Sequence, residues 1–247
     1  MRPGRKRFVL LGVSIVGVVI AVPSAMYLAA RHVPHFYSRA LAQSDVEKRR
    51  ASDDLLRRTS ELTNIARREG RWSAAFTDSQ INGWLAVDMM ENHPGLLPKQ
   101  ITEPRVAIDR DRLRIGWRYQ TGRLSTIFTV CADVYLVEPN VLALRIRSAR
   151  AGALPLPLAR ILERVAAVVS ELDLRLSWRQ IGGDPVALVE LSRLRDDDAM
   201  LILEVLELRE GSLMVAGRSE DRAAEQTARS DAPPTPTHDS ASENLQR

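Results

Sequence analysis

Cysteine occurs once in the 247 residues, at position 131, and histidine four times, at 32, 35, 93 and 238. A single thiol excludes an internal disulfide framework, even in an oxidising compartment. A cysteine nucleophile needs a histidine base, and these four lie in loops and the tail, so Cys131 is read as a buried, inert thiol. His32 and His35 are split by Pro34 and have no carboxylate or cysteine beside them, which argues against a metal pair. Asp196-Asp197-Asp198 lacks the glycine turn and distal glutamate of a calcium loop and reads as solvated loop. No serine sits in a Gly-x-Ser-x-Gly elbow and no glycine-rich phosphate loop occurs. The expectation is no catalytic residue, no cofactor and no metal. Lysine is confined to 6, 48 and 99, so arginine carries most of the positive charge, and the net charge is +4.

Charge is also missing from one long run. Between Arg7 and Arg31 lies Phe8–Ala30, FVLLGVSIVGVVIAVPSAMYLAA. At ~1.5 Å per residue this run spans ~35 Å, enough to cross a ~30 Å hydrocarbon core. Arg2, Arg5, Lys6 and Arg7 form a basic tail at 1–7 that favours a cytoplasmic N-terminus, with all that follows Arg31 outside. A cleaved signal peptide is the competing reading, since Val19 and Ala21 have small-x-small spacing and Ala29-Ala30 closes the run. Its apolar region is usually only ~7–15 residues, and this longer run favours a retained anchor at 8–30. An extracytoplasmic domain makes nucleic acid an unsuitable partner for the basic excess.

Residues 31–69 read as a helical stalk. Tyr27, Phe36 and Tyr37 suit an interfacial aromatic belt. From Ser38 to Arg68 there is no glycine or proline, which predicts one helix. Its first half is expected to be a solvated spacer. Leu55, Leu56, Leu62 and Ile65 form a stripe that would dock the second half.

Residues 70–218 read as one α+β domain. Trp72–Phe76 predicts a strand. Thr77-Asp-Ser-Gln80 has capping-box spacing and opens a helix to about Glu91. Asn82 suits a bond to backbone at the strand–helix junction. Strands follow at Arg105–Asp109, Arg112–Thr121, Ser125–Val137 and Val141–Arg150, with period-2 alternation. Leu113, Ile115, Trp117 and Tyr119 share one face. Arg112, Arg114, Arg118, Arg145 and Arg147 fall on the other, a candidate basic surface. After Gly152-Ala-Leu-Pro-Leu-Pro157 comes the strongest helix pattern, with Leu158, Ile161, Val165, Val168 and Leu172 on one apolar stripe. Strands return at Asp173–Gln180, Pro185–Ser192, Ala199–Leu208 and Ser212–Arg218. Trp72, Trp84, Trp117 and Trp178 fall on inward faces. Residues 219–247 are polar and proline-bearing and read as a disordered tail. The fold expected is a transmembrane helix and helical stalk, then a long curved antiparallel sheet wrapped around one amphipathic helix.

Phe76-Thr-Asp-Ser-Gln-Ile-Asn82 and the Gly152–Pro157 lead-in resemble the YpmS-like small membrane-anchored envelope proteins, over roughly residues 8–192. The resemblance implies a bitopic envelope protein of unestablished biochemical role. Two functions fit the residues. One is binding of a lipid or other apolar ligand in a groove between sheet and helix, lined by Leu158, Ile161, Val165, Val168 and Leu172. The alternative is a structural or assembly partner in the envelope that uses the stalk and the basic sheet and has no small-molecule ligand. A charged outward face is ordinary for a sheet, so the arginines alone do not separate the two.

Overall fold

The computed structural model describes residues 19–66, 70–122, 124–158, 175–181, 184–191 and 199–221. The chain is α+β, with a large antiparallel sheet and few helices. Helix α1 is described over residues 19–30, α2 spans His35–Leu41 and α3 Asp45–Ala66. Strand β1 (Gly70–Thr77) runs into α4 (Asp78–Ala86) and the short α5 (Asp88–Asn92). The remaining strands are β2 (Ile101–Asp109), β3 (Arg112–Thr121), β4 (Leu124–Glu138), β5 (Val141–Ala151), β6 (Leu154–Pro155), β7 (Arg175–Ile181), β8 (Asp184–Glu190), β9 (Ala199–Arg209) and β10 (Ser212–Asp221).

The strands form two antiparallel sheets. A seven-stranded sheet runs β2-β3-β4-β5-β8-β7, with β6 beside β5, and a three-stranded sheet runs β1-β10-β9. This corrects the expectation of one long sheet. Strand β1 leaves the meander and pairs with β10, from Gly70 opposite Ser219 to Thr77 opposite Ser212. The helix expected at 158–172 lies outside the described residues beyond Leu158, so its place against the sheet is not described.

The two sheets are joined through Asn140, in the turn between β4 and β5. Its φ of 61° lies in the left-handed region that asparagine tolerates better than most residues. Its N–H and Nδ2 donate to the carbonyls of Leu203 and Leu201 at 3.0 and 3.1 Å, and its Oδ1 accepts from the Leu203 N–H at 2.7 Å. Its own carbonyl accepts from Leu191 N–H at 2.7 Å. One turn residue thus satisfies three backbone groups of Leu201 and Leu203 on the outer side of β9. Above it, Trp72, Leu203 and Ala66 form a buried cluster with Leu62, Leu136 and Val215 at its margin.

The segment read as a stalk is folded onto the domain. It is two helices, broken at 42–44, where Ser44 and Glu47 form a capping pair: the Ser44 N–H and hydroxyl both donate to Glu47 Oε2 at 2.8 Å. The first half of α3 is not a solvated spacer. A Cβ on Gly83 of α4 would stand 2.6 Å from the Lys48 carbonyl and 2.7 Å from Ala51 Cβ, so the two helices cross with backbone almost in contact. Ser52 is buried in that crossing. The expected stripe docks only in part, since Leu56 and Ile65 remain exposed.

Candidate membrane-facing site

Phe36 and Tyr37 are buried, and they form a core cluster with Ile127. This corrects the aromatic-belt expectation for both residues; Tyr27 alone of the three is exposed. The physical reason lies on β3. Gly116 leaves a gap in the arginine-bearing face, and a Cβ there would approach Tyr37 Cδ2 to 2.9 Å and Phe36 Cζ to 3.1 Å. The rings of α2 fill that gap. Tyr37 Oη donates to the Glu103 carbonyl at 2.8 Å, and burial, helped by the nearby Glu103 carboxylate, pushes its hydroxyl up to about 12. Glu103 itself sits at φ 52°, at an irregularity in the β2–β3 register.

The end of α1 is stitched to the same sheet. A helix leaves its last four carbonyls without intrahelical partners. Here the Ala29 carbonyl accepts from Ala153 N–H at 2.8 Å, and the Ala30 carbonyl accepts from the Thr126 hydroxyl. Gly152, at φ 59°, makes room, since a Cβ there would collide with both carbonyls. Thr126, near the start of β4, and Ala153, in the turn between β5 and β6, therefore cap the helix. The α1 side chains over residues 19–28 are uncovered and, Ser24 apart, largely apolar, with Leu28 69% and Val19 64% exposed. Among the described residues no helix is long and apolar enough to cross a membrane. Residues 8–18 of the expected span lie outside them.

The arginine row is placed on one sheet face, as alternation required, but it is compensated there. Arg114 Nη2 meets Asp109 Oδ1 at 2.5 Å and Arg118 Nε meets Glu103 Oε2 at 2.6 Å. Arg147 Nε lies 2.6 Å from one oxygen of Asp133, and Arg112 Nε lies 3.6 Å from the other. Arg145 donates to the Ile181 carbonyl at 3.3 Å. Arg114 also lies over the Phe36 ring, 4.8 Å from its centroid. Cys131 is half-buried on this face, and burial pushes its thiol up, away from the reactive thiolate form.

The opposite face is apolar. Leu113, Ile115 and Trp117 of β3 stand beside Ala132, Val130 and Phe128 of β4. Trp117 stacks on Phe128 at 6.0 Å between centroids and 9° between planes, and Tyr119 meets the same ring edge-on at 5.5 Å. Ile115 keeps 36% of its surface exposed. Leu158 is half-buried, while Ile161, Val165, Val168 and Leu172 of the expected groove lie outside the described residues. Trp178 is not inward as expected; it is 40% exposed, because β7 is the edge strand of its sheet. Among the described residues no group of three or more metal-ligating side chains converges.

No protein-family model, curated protein or solved structure matches the chain.

Proposed function

We propose that this chain is a single-pass, membrane-anchored protein whose domain stands outside the cytoplasm and holds a lipid or other apolar molecule against the Leu113–Tyr119 face. The observation that carries the reading is the pairing of two apolar surfaces through one joint. The uncovered side chains of α1 end where Thr126 and Ala153 grip its last carbonyls. The aromatic face of β3 and β4 belongs to the same strands. Contiguous exposed apolar surface is costly on a soluble monomer and usually marks a membrane or binding surface. The sequence pattern at 158–172 adds the expectation of a second apolar surface, although past Leu158 that stripe lies outside the described residues. Membership among YpmS-like envelope proteins belongs to the same proposal and rests on the Thr77–Asn82 and Gly152–Pro157 motifs.

A photoactivatable fatty acid tests the reading in membranes holding the full-length protein. Adducts on peptides that cover 113–119 and 128–130 are expected, in addition to those on the anchor. Adducts confined to residues 8–30 would leave only an anchor and remove the ligand.

The alternative, an assembly partner in the envelope, draws support from Leu56 and Ile65, 41% and 51% exposed on α3. It draws less from the arginine row, since Arg112, Arg114, Arg118 and Arg147 each meet one of Asp109, Asp133 and Glu103. Loss of a copurifying protein in a Leu56→Ser/Ile65→Ser variant, with acyl labelling absent, would favour it.

A further inference from the structure

Between the end of α1 and the sheet lies a cavity of about 230 Å³, lined by Tyr27, Arg31, Val33, Arg118, Ser125, Thr126 and Ile127. It is smaller than the ~300–1,000 Å³ of sites that enclose a drug-sized molecule, so it suits one compact polar group. Its chemistry is cationic. Arg31 has no carboxylate partner among the described residues; its Nη1 donates to Tyr27 Oη at 3.2 Å and its guanidinium lies 5.5 Å from that ring's centroid. A guanidinium carries five N–H donors, so this contact leaves most of them open. Arg118 is matched by Glu103 and adds donors but no net charge. The Ser125 hydroxyl makes no hydrogen bond among the described residues, whereas Thr126 has committed its proton to the Ala30 carbonyl. The cavity therefore holds one uncompensated positive charge, two guanidinium forks and a free hydroxyl, beside the apolar walls of Tyr27, Val33 and Ile127.

We propose that this cavity binds the phosphate of a phospholipid headgroup. A phosphodiester carries one negative charge and acceptor oxygens that guanidinium forks match in a bidentate manner. Arg31 is the first charged side chain after the apolar run 8–30. With that run in the bilayer, its head lies at headgroup level, where a long arginine side chain reaches from the helix end. The site rests on the anchored reading above, and it adds which part of the lipid is recognised and where. Free phosphate shares the same chemistry, and the test separates the two.

The full-length protein, extracted in a non-ionic detergent, would be examined by native mass spectrometry with phosphatidylglycerol, with diacylglycerol of the same chains, and with inorganic phosphate. Saturable retention of phosphatidylglycerol over diacylglycerol is expected. Arg31→Gln should weaken that retention at least about tenfold, since it removes the charge-assisted hydrogen bonds and the uncompensated positive charge. Ser125→Glu places a carboxylate in the cavity and should abolish retention with circular dichroism unchanged. Equal retention by native protein and both variants would overturn the site, and occupancy by inorganic phosphate as strong as by lipid would overturn its lipid assignment. Carbonate extraction separates the two levels of failure: release from the membrane removes the anchored reading itself, whereas a retained protein indifferent to Arg31→Gln removes only this pocket.

Discussion

Asn82 treats Val106 as a neighbouring strand would. Its Nδ2 donates to the Val106 carbonyl and its Oδ1 accepts from the Val106 N–H, both at 2.8 Å, and Asn82 itself is buried. Two residues further along β2, the Ile108 carbonyl accepts from Gly211 N–H at 2.8 Å, in the turn between β9 and β10. One side chain and one turn thereby pair the outer backbone of β2 at Val106 and Ile108.

Asn82→Ala removes both of those bonds and leaves a buried donor and a buried acceptor without partners. At ~1–3 kcal/mol for each such group, a loss of about 2–6 kcal/mol is expected, read as a fall in denaturation midpoint of the detergent-solubilised protein. Asn82→Asp should not rescue it, because a carboxylate oxygen would then face the Val106 carbonyl. Native stability in either variant would show that water replaces the side chain.

Gly83→Ala tests the crossing of α3 and α4. The added methyl has no room beside Lys48 O, Ala51 Cβ and Ser52 N, so the helices must part, at a cost of about 1–3 kcal/mol. Hydrogen exchange should accelerate along Asp45–Ala66 before it does in β3 and β4. Unchanged protection of α3 would mean that this helix is not held by the crossing.

Tyr37 predicts an alkaline limit. An ordinary tyrosine ionises near 10, and this one is pushed up to about 12 by burial. The folded state therefore keeps its proton while the unfolded state loses it. Stability from this group is fully present below pH 10 and declines as pH rises through the 10–12 window. Tyr37→Phe removes that slope and also the bond to Glu103 O, at ~0.5–1.5 kcal/mol. Denaturation midpoints at pH 9 and pH 11 should converge in the variant and differ in the native chain.

The anchor itself is tested by fractionation. The full-length protein should resist alkaline carbonate, and a reporter fused at the C-terminus should be active only outside the cytoplasm. A mature form beginning near residue 22 or 31 would instead indicate a cleaved signal peptide.

Local chemistry made much of this fold readable in advance. The Thr77–Gln80 capping box forms with both of its bonds, because its four residues need nothing distant. The alternation of β3 and β4 puts Trp117 and Phe128 on the apolar faces of their strands, because period 2 fixes the face. Non-local choices were hidden. Nothing near Trp72 says that β1 will pair with β10 rather than join the meander. Phe36 and Tyr37 follow an apolar run, which suggests an interface; the gap that receives them is at Gly116, far along the chain. Ser44-x-x-Glu47 was a readable signal for the break between α2 and α3, hidden by the absence of glycine and proline. Alternation puts the arginine row on one face, but the pairing of Arg112 and Arg147 with Asp133, Arg114 with Asp109 and Arg118 with Glu103 depends on register, which alternation does not specify.

The grip of Thr126 and Ala153 on the last carbonyls of α1 leaves no slack between helix and domain. A flexible linker lets a tethered domain sweep a volume that grows with its length, and its effective concentration at any one surface falls accordingly. With α1 anchored, this domain has no leash. On the anchored reading proposed above, it meets the bilayer in one pose, and whatever it handles must be delivered to that surface.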